Sequence, residues 1–122
     1  MKMEYVTFQT TDLEGTIAFW ERVFGFRVVR RFSPRPRVEI AFLSDGSGFQ
    51  VEFIQGGDSP AFSGSGMSLG FHVADIDQAA ADLRAKGVPI LSGPSKLPNG
   101  VGMLRARDPN GIELGFVQEG RA

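Results

Sequence analysis

The sequence predicts an α+β fold of two tandem βαβββ modules, and three observations support that prediction. The chain repeats itself at a spacing of 63 residues, so that Asp12 matches Asp75 and Phe53 matches Phe116. Each half opens with an alternating strand pattern, an Asp and then apolar residues at helical spacing. Glycine is abundant, with 16 residues, which indicates many tight turns between short strands.

The first half is predicted to contain one strand, one helix and three further strands. Residues 3–10 alternate and are rich in β-forming residues. Asp12 stands as the helix N-cap and Gly25 ends the helix. Four apolar residues recur at helical spacing between them: Leu13, Ile17, Trp20 and Phe24. The three strands are predicted at 26–32, 37–43 and 49–55, with Pro34 and Pro36 breaking the first gap.

The second half is predicted to repeat this order. Module 1 covers about residues 1–56, a Gly/Ser-rich linker about 57–66 and module 2 about 67–119. Within module 2 the predicted elements are a strand at 67–73, a helix at 76–86 and strands near 88–91, 101–107 and 112–118. Residues 92–102 are predicted to form a long irregular loop beside a binding pocket.

Composition and charge argue against several classes of function. At 122 residues, 42% hydrophobic and 22% charged, the chain has the composition of one ordinary globular domain. A net charge of −1 gives no reason to expect nucleic acid or a membrane as partner. Cysteine is absent, which excludes disulfides and thiolate chemistry. The opening MKMEYVTF has no charged-then-apolar leader, so we expect a cytoplasmic protein.

Two stretches resemble the vicinal oxygen chelate superfamily, which includes glyoxalase I, extradiol dioxygenases and the fosfomycin and bleomycin resistance proteins. TTDLEGTIAFWERVFGF is similar to the strand–Asp–helix opening of this family. RDPNGIELGF is similar to its Asp-Pro-Asp/Asn-Gly turn before the last strand. The resemblance implies curled mixed sheets around a cavity. It implies a range of functions, from lyases, isomerases and oxygenases to binding proteins.

Strand alternation predicts which side chains face that cavity. On the first strands the sets are Met3, Tyr5, Thr7 and Gln9, and Gly66, Ser68, Gly70 and His72. On the last strands they are Gln50, Glu52 and Ile54, and Glu113, Gly115 and Val117. The residues between them, such as Phe8 and Phe53, are apolar and are predicted to pack in the outer core.

In metal-bearing relatives the resemblance implies a divalent ion, of Zn, Ni, Fe or Mn, held by the first and last strands of each module. The matching positions are Tyr5, Glu52, Ser68 and Gly115. Only Glu52 is a competent ligand, because Gly115 has no side chain. Glu113 lies two residues earlier and would reach the site only through a shifted strand or a bulge. We therefore expect no cofactor, with a divalent metal as the alternative.

The candidate catalytic residues are Glu52, His72 and Tyr5, and each has a structural alternative. His72, the single histidine, is either a ligand or general base or a strand-end residue bonded to backbone or solvent. Glu52 either faces a wet cavity, as a cation-binding group or a base of raised pKa, or forms a structural pair with Tyr5. A metal held by Glu52, His72 and Glu113 is a poor geometric arrangement. The ligand-binding candidates are Tyr5, Glu52, Ser68, His72, Glu113 and Gly115.

Five arginines are concentrated in the first module: Arg27, Arg30, Arg31, Arg35 and Arg37. They form either an anion-binding rim for a carboxylate or phosphate or a solvated hairpin whose charges protect a sheet edge.

The sequence favours a homodimeric protein that binds a small hydrophobic or aromatic molecule without the usual metal. The alternative is a metal-dependent glyoxalase-like lyase or isomerase, or a dioxygenase-related enzyme. A third possibility is a purely structural dimerisation module.

Overall fold

The computed structural model describes residues 1–120, and it confirms the predicted α+β fold of two βαβββ modules. The first contains β1 (Tyr5–Thr10), α1 (Leu13–Phe24), β2 (Arg27–Arg35), β3 (Val38–Ser44) and β4 (Gln50–Gln55). The second contains β5 (Ser68–His72), α2 (Ile76–Ala85), β6 (Ile90–Lys96), β7 (Gly102–Arg107) and β8 (Glu113–Gln118). They lie in two compact units, Met1–Phe62 and a second that begins at Ser63.

Both units have one four-stranded sheet with the same topology. The strand order is β1-β4-β3-β2 in the first unit and β5-β8-β7-β6 in the second. The first strand of each pairs in parallel with the last, and the other pairs are antiparallel. In that parallel pair Thr7 lies beside Glu52, and Gly70 lies beside Gly115. The internal repeat is therefore preserved in the strand register as well as in the sequence.

The two helices begin where the sequence places their N-caps. The Asp12 carboxylate accepts a hydrogen bond from the Gly15 N–H at 2.9 Å, and Asp75 accepts one from Asp77 at 2.9 Å. These bonds satisfy backbone N–H groups that have no partner inside a helix. Gly25 ends α1 with φ 70°, a left-handed conformation that glycine adopts without steric cost.

A second contact fixes each helix start to the last strand of its own sheet. The Leu13 N–H donates to Gln55 Oε1 at 2.7 Å, and the Ile76 N–H donates to Gln118 Oε1 at 2.8 Å. Both positions of this contact recur at the spacing of 63, with the same glutamine and with Ile76 in place of Leu13. The contact holds the N-terminus of each helix against the last strand of its own sheet, so that the position of the helix depends on the position of that strand.

The core of each unit lies between its helix and one face of its sheet. Trp20 is fully buried, and its ring centroid lies 5.7 Å from that of Phe53 on β4. In the second unit Phe71 stacks on Phe116 at 5.1 Å, and Leu114 is fully buried. The apolar strand positions predicted to form the outer core are thus the ones that face the helices.

Two predicted strand boundaries are wrong, and both involve proline. β2 continues through Pro34 to Arg35 instead of ending at 32, and β6 spans Ile90–Lys96 through Pro94. β2 and β6 are the edge strands of their sheets, where a missing N–H removes no inner ladder bond. Register shifts occur near both prolines. The irregular loop predicted at 92–102 is therefore confined to 97–101.

Neither α-helix in residues 1–120 is long and apolar enough to cross a membrane.

Candidate functional site

The sheet surface opposite the helix, here called the open face, carries the candidate site residues of each unit. Cross-strand neighbours on this face form rows. The central row of the first unit is Thr7, Glu52, Phe42 and Arg30. The matching row of the second unit is Gly70, Gly115, Arg105 and Ser92. The two rows occupy equivalent positions, and at none of the four positions do they carry the same residue.

Glu52 is the buried charge of the first open face. Its side chain is only 9% exposed, and the Thr7 hydroxyl donates a hydrogen bond to Glu52 Oε1. Among the described residues, no buried side-chain oxygen or nitrogen lacks a hydrogen-bond partner. The second oxygen, Oε2, has no described partner, so it keeps contact with the surface. A carboxylate has about four acceptor positions, and the described hydrogen bond to Glu52 uses one of them.

Tyr5 is not the partner of Glu52, and the hypothesis of a Tyr5–Glu52 pair is wrong. Tyr5 lies beside Gln50, one row away, and the edge of its ring meets the Phe42 ring at a centroid distance of 5.6 Å. Thr7 takes the place beside Glu52 instead. Tyr5 is 53% exposed, so it adds an accessible aromatic surface to the open face.

The clustered arginines divide between the two faces of the first sheet. Arg30 lies on the open face, with its guanidinium carbon 4.7 Å from the Phe32 ring centroid and 5.5 Å from that of Phe42. The next residue, Arg31, points the other way and pairs with Glu14 and, at 3.8 Å, with Glu39. Its hydrogen bond with Glu14 raises the pKa of Arg31. Arg30 therefore contacts aromatic rings on the open face, whereas Arg31 forms ion pairs with glutamates on the other side of the sheet.

Gly70 and Gly115 leave bare backbone at the centre of the second open face. A Cβ added at Gly70 would meet nothing within 4 Å, and one at Gly115 only the Leu69 carbonyl at 3.9 Å. Each of the other glycines in residues 1–120 either has a positive φ or has a neighbour within 3.0 Å of an added Cβ. Neither backbone conformation nor packing thus requires glycine at these two paired positions. Strand glycines often mark a bulge, a bend or a close approach of a ligand or another backbone, and the β5–β8 pair has no bulge here.

Glu113 and Ser68 share the row next to the two glycines. No register shift interrupts the β5–β8 pair, so Glu113 does not reach the position of Gly115. Both carboxylate oxygens of Glu113 lie 3.4 Å from Arg105 Nη1. This distance is longer than the ~2.8 Å of a strong charge-assisted hydrogen bond. Glu113 therefore orients Arg105 loosely, while most donors of that guanidinium stay unused.

His72 lies at the far end of the same strand pair. Its side chain is 74% exposed, and Nδ1 lies 3.5 Å from Glu119 Oε1. Four strand residues, or about 13 Å, separate His72 from the Ser68–Glu113 row. Within the second unit, His72 and Glu113 therefore do not meet at one site.

The residues at the four family positions do not fit the metal site that the resemblance implies. Glu52 is the one carboxylate among them, its Oε1 accepts the Thr7 hydrogen bond, and Gly115 offers no donor atom. In the described part of the chain no three His, Cys, Asp or Glu residues cluster as a metal centre would require. The donor set matches neither the nitrogen-rich nor the carboxylate-rich sites of divalent metals.

A separate surface cleft of about 620 Å³ lies in the second unit, between the end of α2 and β6. It is lined by Arg84 and residues 87–93. Arg84 is its one ionisable side chain, and it contains no aromatic ring. The open faces therefore carry more ionisable side chains, and more aromatic rings, than this cleft does.

Comparison with known proteins decides the family. A profile of the Glyoxalase/Bleomycin resistance protein/Dioxygenase superfamily matches residues 2–116. The chain belongs to this superfamily. A lactoylglutathione lyase of Arabidopsis thaliana is 29% identical, over 95% of this chain and 44% of the relative. The chain thus spans less than half the length of the curated relatives it matches.

Solved structures of superfamily proteins share the fold. Glyoxalase I of Leishmania major superposes with a TM-score of 0.82 at 23% identity, covering 98% of this chain and 87% of that one. A superfamily member from Sphaerobacter thermophilus gives 0.79 at 22% identity and covers 98% of both chains. Glyoxalase I of Zea mays gives 0.80 at 22% identity, over 99% of this chain and 46% of the other.

The sequence does not predict the partner of Glu52, because strand alternation gives the face on which a residue lies and not its cross-strand neighbour. Alternation places Tyr5 and Thr7 on the same face, and both are candidates for Glu52. Which of them lies beside Glu52 depends on the register of the β1–β4 pair, which a local pattern does not specify. Once the Thr7–Glu52 pair is known, the repeat spacing of 63 predicts the Gly70–Gly115 pair in the second unit.

Proposed function

We propose that this superfamily protein binds a small, flat organic molecule on its open faces and does so without the metal site of its metal-bearing relatives. The observation that carries the proposal is the Gly70–Gly115 pair, which leaves space that neither conformation nor packing explains. The open face of the first unit, taken by itself, carries the buried carboxylate of Glu52 and the aromatic rings of Tyr5 and Phe42. Apolar surface with a few fixed polar groups is the usual composition of a small-molecule site.

Binding is tested with N-phenyl-1-naphthylamine, an uncharged aromatic probe whose fluorescence rises in apolar surroundings. We expect saturable uptake by the full chain, and the same uptake after dialysis against a metal chelator. Absence of saturable uptake contradicts the proposal. Uptake that disappears with the chelator and returns with one metal contradicts the metal-independent part.

Metal independence has a direct test of its own. We expect substoichiometric Ni, Zn, Fe, Mn and Co in protein purified without chelator, and no thermal stabilisation when these ions are added. Tight binding to the folded state necessarily raises its stability with the logarithm of ligand excess. A clear melting shift with one metal that is lost in Glu52→Ala would show a metal site at Glu52.

A metal-dependent lyase is the second candidate, and the name of the 29% identical Arabidopsis relative supports it. It predicts formation of lactoylglutathione from methylglyoxal and glutathione when one divalent metal is supplied. Turnover above the uncatalysed rate, abolished in Glu52→Gln, would favour this candidate over the binding function.

We further propose a cytoplasmic homodimer, on the strength of the family resemblance. Sedimentation velocity at micromolar concentration measures the oligomeric state, and a monomer there contradicts the dimer.

A further inference from the structure

Two opposite charges occupy one row of the first open face without neutralising each other. Glu52 and Arg30 are separated along this row by Phe42. Two strand spacings put their Cα atoms about 10 Å apart. Among the described residues no ion pair joins them, although Arg30 has a long side chain. The row therefore presents an acceptor at one end and a cation at the other.

Arg30 is held in place by rings and not by an acid. Its guanidinium lies over Phe32 and Phe42, and such cation–π contacts orient the group without using its N–H donors. No carboxylate of the described residues pairs with it. Arg31, the neighbouring residue, is paired with two glutamates on the opposite face. An oriented guanidinium with unused donors in a planar fork matches a carboxylate or a similar oxyanion.

At the other end of the row, Glu52 supplies a hydrogen-bond acceptor that complements the Arg30 cation. Glu52 is only 9% exposed, its one described hydrogen bond comes from the neutral Thr7 hydroxyl, and Oε2 has no described partner. A buried carboxylate is stabilised by a cationic or N–H-donating partner. An amine or other N–H donor from a ligand supplies that partner.

We propose that the ligand of the first open face is bifunctional, with an N–H donor or ammonium held by Glu52 and an oxyanion held by Arg30. Its apolar body packs on the accessible ring of Tyr5, which itself contacts the buried ring of Phe42. This specification rests on the small-molecule binding proposed above and adds the ligand class to it.

Three para-substituted aromatic probes separate the two ends: 4-(aminomethyl)benzoate carries both groups, 4-methylbenzoate the acid alone and 4-methylbenzylamine the amine alone. Binding to the full chain is measured by NMR titration. Because each charged end adds a charge-assisted hydrogen bond, we expect the bifunctional probe to bind about tenfold tighter than either of the others.

Variants that each remove one charge from the protein identify which residue binds which end of the ligand. Glu52→Gln is expected to weaken 4-(aminomethyl)benzoate about tenfold and to leave 4-methylbenzoate unchanged. Arg30→Gln is expected to weaken both acids and to leave 4-methylbenzylamine unchanged. Arg31→Gln is the matched control, because it removes the same charge one residue away on the opposite face, and it should alter none of the three affinities.

Equal affinity for the three probes overturns the bifunctional ligand, as does an equal effect of Arg30→Gln and Arg31→Gln. If N-phenyl-1-naphthylamine still binds in that case, this inference alone is wrong and the proposed function stands. If the naphthylamine probe does not bind either, the proposed function is wrong as well. Circular dichroism spectra of the variants that match the parent chain confirm that lost affinity is not lost folding.

Discussion

The central rows of the two open faces show what the internal repeat conserves and what it changes. In the first unit the row contains Glu52 and the Thr7 hydroxyl beside it. In the second unit the same positions are Gly115 and Gly70. The scaffold contacts behind these rows, from the capping aspartates to the glutamines at the helix starts, are the same in both units.

The difference shows that the two units keep their packing residues on the helix-facing side of the sheet and differ on the open side. The helix-facing positions of both units are apolar and buried, because they form the core that stabilises the sheet. The open-face positions carry no such requirement, and there the two units differ in charge, volume and aromatic content. Four predictions test this comparison of the two units and of the two faces of their sheets.

Filling the glycine patch is expected to have the largest effect. Gly115→Leu should reduce uptake of N-phenyl-1-naphthylamine at least about tenfold, because the new side chain occupies the free space. The melting temperature should stay unchanged or rise, since glycine is a poor strand residue. Fluorescence titration and thermal denaturation measure the two quantities. Unfolding of this variant would show that Gly115 faces packed core.

A matched control is available on the helix-facing side. Gly102 is a strand glycine of the same sheet, and an added Cβ there would lie 2.6 Å from Ile76. Gly102→Leu should therefore lower stability by about 1–3 kcal/mol through overpacking. Equal stability of the two variants would remove the distinction between the faces.

The Asp-headed turns before β4 and β8 should differ in their contribution to stability. Asp108 is 5% exposed and accepts N–H bonds from Asn110 at 2.8 Å and Ile112 at 2.9 Å. Asp108→Ala should cost about 2 kcal/mol, because it leaves a buried N–H without its acceptor. Asp45 is exposed and accepts from Ser47, so Asp45→Ala should cost less than about 0.5 kcal/mol. Chemical denaturation of both variants measures the difference, and equal losses would contradict it.

The glutamine contacts at the helix starts should have similar, smaller effects in both units. Gln55→Ala removes the acceptor of the Leu13 N–H and should cost about 1 kcal/mol. Gln118→Ala should cost slightly more, because Gln118 Nε2 also donates to the Gly100 carbonyl at 3.1 Å. No measurable loss in either variant would mean that water replaces the contact.

The smallest effect concerns pH. The Ser47 hydroxyl, and then the Ser47 N–H, hold the pKa of Asp45 below its ordinary value. A folded-state pKa that is depressed gives stability that is present above the unfolded pKa and is lost as pH falls through the folded pKa. Asp45→Asn should therefore flatten the acid limb of a stability-versus-pH curve slightly. An unchanged acid limb would show that the Ser47 bonds do not persist in solution.

Local patterns predicted the element order well, because capping, period and repeat are encoded in neighbouring residues. Asp12, Asp75 and the apolar residues of α1 placed both helices within one residue of their observed bounds. The strand boundaries at Pro34 and Pro94 were missed, since proline breaks an inner strand but not an edge strand. Only the sheet order shows which strands are edges.

The sequence by itself determined the two-module fold, the faces of the strands and the loss of a carboxylate at Gly115. Each of these depends on residues at fixed spacings along the chain, and a period or a repeat reveals them directly. The tertiary structure alone decided that Thr7 and not Tyr5 bonds Glu52, that Arg30 rests on two rings, and that Gly70 and Gly115 adjoin. Those pairings join residues far apart in sequence, and strand register specifies them through the summed packing of the whole sheet.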